Sequence, residues 1–168
     1  TGSFTGDQAE GGVARIDFED AVPAGTATLR MVYTAPYDTT LAGIYRADQA
    51  DKAYLASQME PDDARRMMPS FDEPRFKTPF KVSISAPQGM KVVTNGAVTA
   101  ENPGTGSLNS LYLFETTRPL PTYLLAFAVG PYDERIGKDI PANEIRDTPI
   151  PFRGYAAAGK GEKLKTVM

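Results

Sequence analysis

The chain has 168 residues, enough for one domain with a proper core and short for two. Its net charge is −3, with 18 Lys and Arg against 21 Asp and Glu, so no basic excess exists to neutralise phosphates and no nucleic-acid partner is expected. It contains neither His nor Cys, which excludes the H-E-x-x-H zinc motif, His-based triads, thiolate ligands, disulfides and Cys nucleophiles.

The 14 prolines and 15 glycines, set among β-branched and aromatic runs, predict a β-rich fold with many turns. No apolar run approaches the ~20 residues of a membrane span, and no signal-peptide pattern is present. Residues 1–12 read as a disordered or polar lead-in. The chain starts at Thr1 and reads as an excised piece of a larger protein, which leaves localisation open between cytoplasm and periplasm.

Val13 to Phe18 alternates Ala14, Ile16 and Phe18 against Val13, Arg15 and Asp17, a first strand. Asp20 to Gly25 is a turn around Pro23 and Gly25. Thr28 to Thr34 sets Leu29, Met31 and Tyr33 against Thr28, Arg30 and Val32, a second strand. Asp48 to Lys52 is a polar hairpin loop, and Tyr54 to Glu60 extends again. In that strand Gln58 and Glu60 would project from one face, because residues two apart share a face. Pro61 removes a backbone donor and closes the strand. Asp62 and Asp63 favour a helix N-terminus, and Pro69 cannot continue the helix, so one short helical turn is expected near 62–68.

Phe80, Val82, Ile84 and Ala86 then alternate with Lys81, Ser83 and Ser85, a half-exposed strand. Pro87 to Gly89 turns, Met90 to Thr94 extends, Asn95-Gly96 signals a hairpin and Val98 to Glu101 returns. Asn102 to Gly106 is a loop and Leu111 to Glu115 a strand. Pro119 and Pro121 bracket an irregular lead into Tyr123–Val129, an apolar run best suited to a central strand buried on both faces. Ile136 and Pro149–Tyr155 give the last strands, with Gly137 to Thr148 a surface loop between them. Ala156 to Gly161 reads as a linker and Glu162 to Met168 as a truncated helix start. The expected architecture is an all-β saddle or sandwich of mixed and antiparallel strands with open edges.

Two ordered motifs carry a resemblance. Ala64-Arg65-Arg66-Met67-Met68-Pro69-Ser70-Phe71-Asp72-Glu73-Pro74, followed by Lys77 and Phe80, resembles the A-R-x-x-F-P-C-F-D-E-P-x-x-K-A-T-F hallmark of zinc aminopeptidases of the aminopeptidase N type. In that family it follows a Q-x-E/Q segment, here Gln58-Met59-Glu60. Phe114 to Gly130 resembles the family's F-x-x-T-x-P-M-S-T-Y-L-x-A-F-x-V-G, and Leu41 to Arg46 its Gly-Ile/Leu-Tyr segment. Departures fall at packing positions: Met68 and Ser70 for Phe and Cys, Thr78-Pro79 for Ala-Thr, and Leu120-Pro121 for Met-Ser.

The resemblance implies a partial N-terminal β domain over 13–155, then a linker and the start of a catalytic domain over 156–168. It implies peptide substrates, Zn²⁺ bound outside this chain, and docking against the enzyme's own catalytic domain. No catalytic residue and no metal ligand is expected here. Gln58 and Glu60 are implied as substrate-binding residues: Glu60 to hold the free α-ammonium, Gln58 to line the pocket of the first substrate residue. A fixed carboxylate suits that ammonium because charge-assisted hydrogen bonds are about twice as strong as neutral ones. Taken alone, the two residues read as polar side chains at a strand end.

Asp72 and Glu73 suggest paired carboxylates for acid/base work, yet neighbours in an irregular loop rarely converge on one atom. Asp72 reads better as a cap for backbone N–H groups or a partner of Arg65 or Arg66. Arg66 and Lys77 read as ion-pair members, and Tyr123 as packing. The alternative to the aminopeptidase reading is a free-standing β-sandwich that binds peptides or proteins through its open edges.

Overall fold

A computed structural model of the chain describes residues 2–5, 13–104, 106 and 108–166. Two compact units are present, Thr1–Ala35 and Pro36–Met168. In the first, β1 (Gly2–Thr5) and β2 (Arg15–Phe18) pair antiparallel, with Gly2 opposite Phe18 and Thr5 opposite Arg15. Part of the polar lead-in is therefore paired backbone. The strand expected at Thr28–Thr34 does not form. Residues 26–37 have no ladder, and Leu29, Met31, Val32 and Tyr33 stay exposed. Alternation suits a pleated surface, but a strand also needs a neighbour to take its hydrogen bonds.

In the second unit, β3 (Gly43–Gln49) and β4 (Lys52–Gln58) form a hairpin closed by Ala50 and Asp51, with Gln49 opposite Lys52. The strands β5 (Ser83–Pro87), β6 (Lys91–Thr94), β7 (Val98–Pro103), β8 (Asn109–Phe114), β9 (Phe127–Gly130), β10 (Tyr132–Ile136) and β11 (Arg153–Ala157) follow. They assemble as a four-stranded sheet in the order β3-β4-β9-β6, a three-stranded sheet β5-β8-β7 and the pair β10-β11. Among the described residues the named ladders are antiparallel and one isolated bridge, Asp38 to Tyr45, is parallel, so the expected all-β architecture of mixed and antiparallel strands stands.

One core cluster joins Ala86 of β5, Val92 of β6 and Tyr112 and Phe114 of β8, with Val129 of β9 packed against it. Two sheets thus face each other across an apolar layer, a sandwich. The β5 alternation holds: Val82 and Ile84 are half-buried and Ala86 buried, while Lys81, Ser83 and Ser85 are exposed.

Asn95-Gly96 does not make a hairpin, because β6 pairs with β9 and β7 with β8. The turn carries the chain from one sheet to the other. Asn95 instead spends its amide on another segment, donating to Leu124 O at 2.8 Å and accepting from Ala126 N at 2.8 Å. The apolar run Tyr123–Val129 also divides. Thr122–Leu124 is a 3₁₀ turn, Leu125 is buried, and the strand begins only at Phe127, whose N–H goes to Ser57 Oγ at 2.8 Å. The strand is central, as expected, but it is half-buried rather than buried on both faces.

The stretch read as a linker is partly built into the fold. β11 runs through Ala157, and Ala158 N donates to the Tyr54 hydroxyl at 3.0 Å. A 3₁₀ helix over Gly161–Thr166 follows, with Gly161 N donating to Asp133 Oδ2 at 2.8 Å.

Candidate functional site

The segment that ends β4 places both sequence-predicted site residues. Gln58 closes the strand opposite Gly43 and is exposed. Met59 is 1% exposed, packed with Ala64 and Leu125 in a second core cluster. Glu60 is exposed again. Two polar side chains therefore reach solvent on either side of a methionine anchored in the core. Among the described residues, no hydrogen bond or ion pair restrains the Glu60 carboxylate.

The expected helical turn is a 3₁₀ helix over Asp63–Arg66. Asp63 N donates back to Met59 O at 2.9 Å, and Met67 N and Met68 N both reach Ala64 O. Asp62 stands at the N-cap position without a side-chain cap bond. The acidic residues serve ion pairs instead: Asp63 meets Arg66 Nε at 2.6 Å, and Arg66 Nη1 reaches Asp38 at 2.8 Å. Gly43 lies beneath this turn at φ 63, where a Cβ would come within 3.0 Å of Arg66 Cβ and 3.3 Å of Asp63 O. Only glycine suits both the left-handed backbone and the close approach.

The capping carboxylate comes from further along the chain. Asp72 is 7% exposed, and its Oδ2 accepts from Arg65 N at 2.9 Å and Arg65 Nε at 3.0 Å. Arg65 Nη2 also donates to the Asp72 carbonyl at 2.9 Å. The other carboxylate oxygen, Oδ1, accepts from the Thr122 hydroxyl at 2.5 Å. Burial alone would raise the Asp72 pKa. The bonds from Thr122 and Arg65 outweigh it and hold the group below its ordinary value. Asp72 thus does both jobs the sequence allowed it, cap and ion-pair partner.

Glu73 is turned outward and pairs with Arg75 at 2.8 Å, so the two adjacent carboxylates do not converge. Arg66 is an ion-pair member as expected. Lys77 is not, among the described residues; it lines an open cavity of about 390 Å³ with Ser70, Phe71, Thr78 and Thr122. What sequence reasoning missed is Thr122. It lies in the second motif, but nothing local tells that its hydroxyl reaches the first.

The sequence has no His or Cys, and among the described residues no group of three or more acidic side chains could hold a metal ion. None of the described helices is long and apolar enough to cross a membrane.

The Peptidase M1 N-terminal domain family matches residues 2–124. The chain is similar to an aminopeptidase N of Acetobacter pasteurianus, 37% identical over 155 residues, which cover 89% of this chain and 41% of that protein. It is 35% identical over 141 residues to the mitochondrial aminopeptidase 2 of Saccharomyces cerevisiae, covering 80% of this chain and 14% of that protein. An aminopeptidase N of Streptomyces lividans is 33% identical over 136 residues, with 76% of this chain and 15% of that protein covered. The chain therefore spans less than half the length of each of these relatives.

Proposed function

Because the chain belongs to the M1 peptidases as their N-terminal domain, we propose that it serves a zinc aminopeptidase that removes residues from the N-termini of peptides. Its share of the work is recognition and docking. Glu60 holds the substrate's α-ammonium, Gln58 borders the pocket of the first residue, and the zinc and the hydrolytic step belong to a catalytic domain outside these residues. The observation that carries this reading is the placement of Gln58 and Glu60, exposed on either side of buried Met59 and directly ahead of the motif turn. A carboxylate free of internal partners remains available to a ligand cation.

Two assays test it. The purified chain, with or without added zinc, should not hydrolyse an aminoacyl anilide; robust turnover would sink the reading. In the longer enzyme, Glu60→Ala should lower kcat/KM on that substrate about tenfold, or roughly 1.4 kcal/mol of transition-state stabilisation. Unchanged kinetics would reduce Gln58 and Glu60 to polar residues at a strand end.

A further inference from the structure

Glu60 has no side-chain partner of its own among the described residues, so its position must be set through the backbone. On one side stands Met59, fixed in the core at 1% exposure. On the other, the bond from Asp63 N to Met59 O closes a short loop that holds Glu60, Pro61 and Asp62 between its ends. Where that loop points depends on the 3₁₀ turn that follows it, and that turn is tied down by Asp72 at the Arg65 N–H and guanidinium. Asp72 is in turn tied to Thr122, which begins a second 3₁₀ turn. The residue just after that turn, Leu125, packs against Met59 and Ala64. The contacts form a closed ring: Met59, the turn, Asp72, Thr122, Leu125 and back to Met59.

We propose that Asp72 is a positioning residue for Glu60, setting where that carboxylate stands by fixing the turn behind it to Thr122. This rests on the reading of Glu60 as the amine anchor. Asp72 itself is buried, with both carboxylate oxygens already engaged, so it acts through the turn and not on substrate. Asp72→Asn keeps the size and one acceptor but removes the charge that draws Arg65 and Thr122 together.

The test is a double-mutant cycle in the longer enzyme, reading kcat/KM on an aminoacyl anilide for wild type, Glu60→Ala, Asp72→Asn and the double variant. Circular dichroism of each variant checks that it is folded. Asp72→Asn should lower kcat/KM about fivefold or more when Glu60 is present, and less than about twofold when Glu60 is already alanine. An equal loss in both backgrounds would mean a general structural role and would overturn the proposal while leaving Glu60 as the anchor. No loss in either background overturns it as well. If Glu60→Ala itself changes nothing, the anchor reading and this inference fall together. Should Asp72→Asn not fold, Thr122→Val removes only the hydroxyl and is run through the same cycle, with the same outcomes deciding.

Discussion

The Thr122 hydroxyl donates to Asp72 Oδ1 at 2.5 Å across 50 positions of sequence, while the other oxygen of that carboxylate receives Arg65. One buried side chain therefore divides its acceptors between two motif segments. The first motif supplies the turn behind Glu60, and the second supplies the hydroxyl that holds the carboxylate still. A loop of Pro, Asp and Glu residues would otherwise sample many conformations.

Removing the hydroxyl at position 122 should therefore cost stability out of proportion to its size. Thr122→Ala deletes a hydrogen bond to a charged, buried acceptor, a loss of about 1.5–3 kcal/mol. Thr122→Ser keeps the donor and should lose much less. The urea midpoints of the two variants give the comparison, and similar losses in both would assign the cost to the methyl group.

Acid should expose the same joint. The Asp72 pKa is depressed in the folded state, so the unfolded chain binds more protons and stability rises with pH through the window between the two values. The contribution is fully present above the unfolded value of about 3.9 and is lost as pH falls through the folded one. Glu134 is also depressed, chiefly by Lys91, so the wild-type curve alone is ambiguous. The informative quantity is the difference between wild type and Asp72→Asn, which should shrink below about pH 4 and stay flat above about pH 6. A difference unchanged down to about pH 2 would show that the charge of Asp72 contributes nothing.

Gly96 offers a backbone test of the crossing between sheets. A Cβ there would stand 2.4 Å from Glu115 O. That strand cannot easily withdraw, because Glu115 N donates to Ala97 O at 2.9 Å, while Asn95 is held to Leu124 and Ala126. Gly96→Ala should cost about 1–3 kcal/mol, the usual range for forced overpacking. A thermal midpoint equal to wild type would mean that the turn yields freely.

What the sequence made legible was local. The alternation through Val82, Ile84 and Ala86 gave the right face of β5, and the stop at Pro61 put the helical turn where it stands. Period-two counting put Gln58 and Glu60 on one face of a strand running to Glu60; both are exposed, but the strand ends at Gln58. The misses share one cause, which is that pairing is decided by distant segments. Thr28–Thr34 has the pattern of a strand but no ladder partner among the described residues. Asn95-Gly96 has the composition of a hairpin, yet its flanking strands found partners in different sheets. Tyr123–Val129 has the composition of one strand, but the Asn95 side chain takes the Ala126 N–H, and pairing starts one residue later. In the site, Asp72 was correctly read as cap and partner, while Thr122 was invisible because its role exists only once the two motifs are folded together.

Met59 links the core to the site, and its substitution separates the two. The side chain is fully enclosed by Ala64 and Leu125, with Met67, Phe80 and Leu120 among the flanking apolar groups. Met59→Ala leaves a cavity and should cost about 2–5 kcal/mol. Met59→Leu conserves volume and should cost less than about 1.5 kcal/mol. The two variants carry the same exposed Gln58 and Glu60 but hold them differently, since only leucine keeps the strand end anchored. In the longer enzyme, Met59→Ala should therefore lower kcat/KM at temperatures where it remains folded by circular dichroism, and Met59→Leu should stay near wild type. Equal kinetics for folded Met59→Ala and wild type would mean that the depth of this anchor has no bearing on where Glu60 stands.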